Sequence, residues 1–158
     1  MLGYFDNQTV TEKSFNDEGW FMSGDLGVIM PNGALRIEGR LKDLIIRGGH
    51  NIYPTHVEAL ALRHPDVQKA ACFPVADERL GERACMAVIG SIDAAGLLAH
   101  LSAEGLSKYD LPEFFIALDS FPLTPSGKIL KRDLVEMVKR HEISPQFVRS
   151  PQTAPVTA

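Results

Sequence analysis

Val67-Gln68-Lys69-Ala70-Ala71-Cys72-Phe73-Pro74-Val75 and Ala84-Cys85-Met86-Ala87-Val88-Ile89-Gly90 are two apolar runs rich in β-branched residues. The polar stretch Asp77-Glu78-Arg79-Leu80-Gly81-Glu82-Arg83 joins them. Short apolar runs on either side of a charged connector read as an antiparallel strand pair. Upstream, Leu44-Ile45-Ile46 reads as a short strand ending at Gly48-Gly49. Thr55-x-x-Glu58 after Pro54 reads as a helix-starting capping box, with Val57, Leu60, Ala61 and His64 on one face. His64-Pro65-Asp66 ends that helix. Downstream, Ala94, Leu97, Leu98 and Leu101 stripe a second helix, closed by Gly105. Phe114-Phe115-Ile116-Ala117-Leu118 is a third core strand. Leu130, Leu134, Met137 and Val138 stripe a last helix. The order is strand, helix, strand, strand, helix, strand, helix. It predicts an α+β fold: a small antiparallel sheet with helices packed on it.

The first forty residues differ. Asn16-Asp17-Glu18-Gly19, Ser23-Gly24-Asp25 and Pro31-Asn32-Gly33 are turn clusters, and no convincing helix lies among them. Pro-Asn-Gly between Gly27-Val28-Ile29-Met30 and Ala34-Leu35-Arg36-Ile37 predicts a hairpin. This short β segment is too small to bury Tyr4, Phe5, Phe15, Trp20 and Phe21 by itself, which implies a missing partner surface. The organisation expected is therefore a β segment over 1–39, the main domain over 40–142 and a disordered tail over 143–158. The last part, with Pro151 and Pro155, is poor in apolar residues.

Composition narrows the class. Of 158 residues, 45% are hydrophobic and 23% charged, ordinary for a globular protein. A net charge of -4 gives no electrostatic case for nucleic acid or an anionic membrane. No apolar run approaches the roughly 20 residues of a membrane span, and the N-terminus has no secretory pattern. Cys72 and Cys85 read as reduced core residues, so a cytoplasmic location is expected. The five histidines have no zinc-ligand spacing, and no metal site is expected.

Four constellations carry candidate chemistry. Ser23-Gly24-Asp25 puts a carboxylate on a glycine turn, where it can accept hydrogen bonds from a diol. Gly39-Arg40-Leu41-Lys42-Asp43 sets three charges beside a glycine, and Arg40 can hold phosphate or carboxylate with two bonds. Arg47-Gly48-Gly49-His50-Asn51 resembles a phosphate cradle, because adjacent glycines let the backbone approach a ligand. It lacks the dinucleotide fingerprint. In Phe121-Pro122-Leu123-Thr124-Pro125-Ser126-Gly127-Lys128, one long cation follows a Pro- and Gly-rich turn, which holds it away from the core. Ile129 after that lysine rules out a Walker A loop. Taken singly, each has a bland reading as a turn, a solvated linker or a surface lysine.

Their order and spacing carry more. Gly19-Trp20-Phe21-Met22-Ser23-Gly24-Asp25, Gly39-Arg40-Leu41-Lys42-Asp43-Leu44-Ile45, Gly48-Gly49-His50-Asn51-Ile52-Tyr53-Pro54 and Leu123-Thr124-Pro125-Ser126-Gly127-Lys128-Ile129 resemble the successive C-terminal motifs of the adenylate-forming enzymes. That superfamily includes acyl-CoA synthetases, nonribosomal peptide adenylation domains and beetle luciferases. The resemblance spans roughly residues 1 to 141 and points most closely to AMP-forming acyl-CoA ligases. It implies a two-step reaction: a carboxylate and ATP give acyl-AMP and pyrophosphate, then the thiol of coenzyme A attacks. It implies that Asp25 binds the ribose hydroxyls and Arg40 contacts the nucleotide. Lys42 becomes the hinge of a swinging lid, and Gly48 and Gly49 line the pantetheine tunnel. Lys128 bridges carboxylate and α-phosphate during adenylation.

Four departures accompany the resemblance. Ser23 stands where Thr is usual, Met22 where Arg or Lys is common and His50 where Glu is common. The family's phosphate loop, acyl pocket and most of its adenine site lie upstream, outside these 158 residues. The expectation is the C-terminal lid of an acyl-CoA ligase, inactive by itself. Its partners would be an N-terminal adenylation domain and a carboxylic acid. ATP or AMP and CoA would be substrates of the whole enzyme, with Mg2+ on ATP, and none would bind this fragment alone. The alternatives are the lid of a carrier-protein adenylation system and a stand-alone, non-catalytic interaction module.

Overall fold

In the computed structural model, which describes residues 2–148, the chain opens with a helix in a stretch that has no apolar periodicity. This helix, α1 (Gln8–Lys13), buries none of its residues. Its N-cap accounts for it: the Asn7 side chain accepts from the Val10 amide at 3.1 Å. The strands β1 (Asp25–Ile29) and β2 (Leu35–Arg40) follow, paired antiparallel across the Pro31-Asn32-Gly33 turn. Gly33 has φ +80°, and its amide donates to Met30 at 2.8 Å. Leu41–Asp43 then form a single 3-10 turn.

The described residues divide into two compact units, split between Lys42 and Asp43. That is three residues later than the boundary expected from sequence, because Arg40 completes β2 opposite Asp25. Among the described residues every buried apolar side chain lies at Ile45 or beyond. The first unit leaves Trp20, Met22, Ile29 and Leu35 exposed. Phe15 and Phe21 meet edge to face at 5.7 Å, which is about what a segment this size can shelter.

The second unit holds β3 (Ile45–Arg47), β4 (His50–Ile52), α2 (Pro54–Ala61), β5 (Val67–Asp77), β6 (Gly81–Gly90), α3 (Ala94–Ala103), β7 (Phe114–Ala117), α4 (Lys131–Lys139) and β8 (Gln146–Phe147). One sheet contains all six strands, in the order β4-β3-β6-β7-β8, with β5 paired to β6. The long β5–β6 pair is its spine, antiparallel from Val67↔Gly90 to Asp77↔Gly81. Pro74, which has no N–H to give, is tolerated because β5 pairs on one side only among the described residues. The sheet is antiparallel as expected except for β6 and β7, which run parallel. The reason is α3, a crossover helix between them.

Side chains alternate across this spine. Cys72 and Met86 join Ile45, Ile52, Val57, Leu60, Leu97 and Leu101 beneath α2 and α3. Phe73 and Cys85 join Ile116, Phe121 and Leu134 beneath α4. Helices therefore cover both faces. Phe73 and Leu134 are fully buried, each stabilising the unit by about 1.5–3 kcal/mol of transfer free energy. Both cysteines are free and buried, as their apolar neighbours predict.

Two expectations are corrected. The capping box at Thr55 does not form. Tyr53 is the N-cap of α2, without a side-chain bond, and Pro54 takes the first helical position. Glu58 is turned to another use. The expected tail begins as a strand: Phe147 pairs with Phe114 and packs edge to face on it at 5.6 Å, and the Val148 amide donates to Glu113 at 2.7 Å. An aromatic with a partner on β7 outweighs the breaking effect of Pro145. The rest of that tail, 149–158, lies outside the described residues.

Candidate functional site

In the first unit the β1–β2 hairpin brings together Asp25 and Arg40, fifteen positions apart in sequence. They are directly opposed in register, and the Arg40 Nε lies 3.2 Å from Asp25 Oδ1. Both side chains are open to solvent. Ser23 Oγ accepts from the Asp25 amide at 3.1 Å, and the Leu41 amide donates to Gly24 at 2.8 Å, so the Gly24 turn is fixed at both ends. The Pro31-Asn32-Gly33 turn, far from either side chain, thus sets a carboxylate and a guanidinium side by side. An exposed pair of this kind contributes little to stability and stays available to a ligand. Lys42 follows directly, as the last residue before the division between the units.

Gly48 and Gly49 form the two-residue turn between β3 and β4, with φ +57° and +87°. Consecutive positive φ values suit a tight hairpin matched to strand twist, and glycine adopts them without strain. Sequence reading found the glycines but ended the strand there, missing the short return strand His50–Ile52. The Gly48 amide donates to Leu80 at 2.8 Å, tying this turn to the β5–β6 connection. On its other flank His50 Nε2 lies 2.7 Å from Asp110 Oδ1.

Lys128 sits on a second hairpin, closed by the Leu123↔Ile129 bridge. The Thr124 amide donates to Lys128 and the Gly127 amide to Thr124, both at 2.8 Å. Thr124 Oγ1 accepts from the Lys128 amide at 2.9 Å. Gly127, at φ +81°, makes the turn possible. The backbone is therefore held while the side chain is exposed, and among the described residues its ammonium has no carboxylate partner. The Leu130 amide donates to Pro122 at 2.9 Å, and α4 begins at the next residue.

Two clusters escaped sequence reading. The first is a cleft of about 650 Å³ walled by Arg47, Arg79, Arg83, Lys108, Glu113 and Phe147, among others. Glu113 is engaged inside it, 2.7 Å from Arg47 and 3.9 Å from Arg83. Arg83 is also paired with Asp77. Arg79 and Lys108 have no ion-pair partner among the described residues, which leaves the cleft net basic although the chain is acidic. The signal was present in the loop Asp77–Arg83, whose arginines read as mere connector.

The second cluster is Glu58, Lys131 and the Cys72 amide. Glu58 Oε1 accepts from that amide at 2.6 Å and lies 2.7 Å from Lys131 Nζ. Burial pushes the Glu58 carboxyl above its ordinary value, against the charge and hydrogen bond of Lys131. Among the described residues no three His, Cys, Asp or Glu side chains converge as a metal-binding set. No described helix is long and apolar enough to cross a membrane.

Comparison with known proteins agrees with this architecture. Residues 56–128 match the family described as the AMP-binding enzyme C-terminal domain. The chain is 39% identical over 136 residues to a medium-chain fatty-acid–CoA ligase of Escherichia coli, covering 83% of this chain and 24% of that one. It is 37% identical over 153 residues to the pseudomonine synthase PmsE of Pseudomonas entomophila, covering 95% and 24%. Among solved structures, ATP-bound MatB from Rhodopseudomonas palustris superposes with a TM-score of 0.77 at 35% identity, covering 87% of this chain and 28% of that one. The chain thus spans about a quarter of the length of the proteins it matches.

Proposed function

The chain carries an AMP-binding enzyme C-terminal domain, and from that premise we propose that it is the lid of an AMP-forming acyl-CoA ligase. The reaction would join a carboxylic acid to ATP as acyl-AMP, releasing pyrophosphate, and then pass the acyl group to the thiol of CoA with release of AMP. Lys128 is the adenylation lysine in this reading. The observation that carries it is the Lys128 hairpin, whose hydrogen bonds hold the backbone while the ammonium stays exposed. Carboxylate and α-phosphate repel each other as they approach. A cation between them stabilises the approach and the charge that develops in transfer.

The other residues follow from charge and placement. Asp25 would accept hydrogen bonds from the ribose hydroxyls and Arg40 would contact the nucleotide phosphate, each releasing the other to do so. Lys42, at the division between the units, would be the hinge by which one site serves two half-reactions. Gly48 and Gly49 would line the path of the pantetheine arm, because neither brings a side chain of its own into it. The basic cleft begins at Arg47 and Leu80, next to that turn, and its free cations suit the phosphates of CoA. The missing partner in this reading is the N-terminal adenylation domain.

The test is kinetic, in the full-length enzyme. Lys128→Ala is expected to abolish ATP–pyrophosphate exchange and spare thioester formation from preformed acyl-AMP. Equal loss of both half-reactions contradicts the assignment. In the alternative reading from the sequence, the acceptor thiol belongs to a carrier protein. Offering CoA and a phosphopantetheinylated carrier side by side decides between them.

A further inference from the structure

Glu58 occupies an unusual position. Its helix, α2, packs on one face of the sheet, and α4 packs on the other. Between them runs β5, whose outer edge has no strand partner among the described residues. An open edge leaves backbone N–H groups unsatisfied. Glu58 covers one of them, the Cys72 amide, at 2.6 Å. From the far side Lys131 reaches across the same edge to Glu58 at 2.7 Å. Both side chains are mostly buried, with 15% of Glu58 and 23% of Lys131 exposed.

Sequence position gives this clasp its meaning. Lys131 is the first residue of α4, three residues beyond Lys128. The N-cap of α4, Leu130, offers no side-chain bond, so Lys131 adds a side-chain anchor to the Leu130–Pro122 backbone bond at the start of the helix. Glu58 lies in the helix that follows the Gly48-Gly49 hairpin. We infer that Glu58, through its ion pair with Lys131, sets the position of the Lys128 hairpin and is a positioning residue for adenylation. The inference rests on the reading of Lys128 given above.

The energetics fit a positioning role better than a stabilising one. Burial raises the Glu58 carboxyl above its ordinary value despite Lys131, with Asp43 adding repulsion. A raised folded-state value means that this carboxyl favours folding most below its unfolded value and does so less as pH rises through the folded one. Its ionised form is thus held at a cost to the fold. A neutral acceptor would cover the Cys72 amide without that cost, and the charge fits a use in placing Lys131.

Two measurements test this. In the 158-residue chain, amide resonances of Thr124, Gly127 and Lys128 are followed by NMR from pH 4 to 8, with the Glu58 side-chain carboxyl carbon as reference. The expected result is that the hairpin amides shift with the Glu58 midpoint and that Glu58→Gln removes that component. Amides that ignore Glu58 overturn the inference. In the full-length enzyme, Glu58→Gln is expected to lower the adenylation rate by up to about 100-fold, the scale of a small misplacement. Its KM for CoA and its thermal midpoint should stay near wild type. The double variant Glu58→Gln/Lys131→Met should lose no more than the worse single variant. A large fall in the thermal midpoint, or additive losses, marks a merely structural pair and overturns the inference. If Lys128→Ala leaves adenylation intact, the adenylation reading fails, and the NMR coupling still stands or falls on its own result.

Discussion

Asp77 closes β5 and holds the connection to β6 together. Its Oδ1 accepts from the amides of Leu80 at 2.8 Å and Arg79 at 3.1 Å, and its other oxygen takes the Arg83 guanidinium. The Leu80 amide, then Arg83, hold its carboxyl below the ordinary 3.8. A depressed folded-state value contributes stability that is fully present above the unfolded value and is lost as pH falls through the folded one. Asp77→Asn keeps the acceptor and removes the charge. Its urea midpoint is expected to fall below wild type at pH 7, with the gap closing as pH drops under about 4, the unperturbed carboxylate value. Glu136, depressed by Lys139, titrates alike in both chains and cancels. Parallel midpoints from pH 7 to pH 2 contradict this account. Residues such as Asp77 mark the limit of sequence reading. Its type and place in a polar loop were legible, but its partners became visible only once β5 and β6 were in register. The same holds for Glu58, whose spacing from Thr55 imitates a capping box. Lys128 was legible because its turn chemistry is local: Thr124, Pro125, Ser126 and Gly127 determine its presentation among themselves.

The β5–β6 pair depends on a close approach at its far end. Gly90 faces Val67 where the register slips, and a Cβ built on it would lie 2.0 Å from the Asp66 carbonyl oxygen. That oxygen is backbone and also accepts from the Ser91 amide at 3.0 Å, so it cannot move aside without losing a bond. Gly90→Ala is expected to destabilise the second unit by about 1–3 kcal/mol, the range for forcing atoms into a filled site. Gly49→Ala makes the contrast, because its Cβ would meet nothing within 4 Å and only its positive φ is at stake. Urea unfolding by circular dichroism compares them, and an unchanged midpoint for Gly90→Ala contradicts the packing argument. At this scale the longer strands of the second unit were readable as continuous apolar runs and its helices by their apolar stripes. What escaped were the short pieces fixed by partners: α1 by the Asn7 cap, β4 by β3, and β8 by Phe114. The two or three residues of β4 and β8 are too few to show a period, and the six of α1 bury no face, so no periodicity announces them. The parallel β6–β7 pairing was implicit in the intervening helix, but strand order is a non-local choice.

The two units differ in what holds them. The second has helices on both faces of a sheet and all the buried apolar residues of the described chain. The first has a hairpin, a six-residue helix and a row of exposed apolar side chains. Chain entropy of about 1–2 kcal/mol per ordered residue has little burial to offset it there. The first unit should therefore open locally long before the second unfolds. Trp20 makes this measurable, because it is the one tryptophan in the sequence and is 69% exposed. In urea, circular dichroism is expected to show one cooperative transition from the second unit. Trp20 emission should start near its solvent-exposed position and move little through that transition. Trypsin at low ratio should cut first at Lys13, Arg36, Arg40 or Lys42 and leave a resistant core beginning near Asp43. Early cleavage at Arg79 or Arg83, or Trp20 emission that tracks the main transition, contradicts this division. Adding the N-terminal part of the proposed ligase supplies the missing test of what the first unit is for. Its exposed apolar residues should then be covered, and Trp20 emission should shift to the blue with a loss of quenching by acrylamide. If Trp20 stays as exposed as in the chain alone, the hairpin that pairs Asp25 with Arg40 has not joined a nucleotide site, and the roles proposed for both residues fall together.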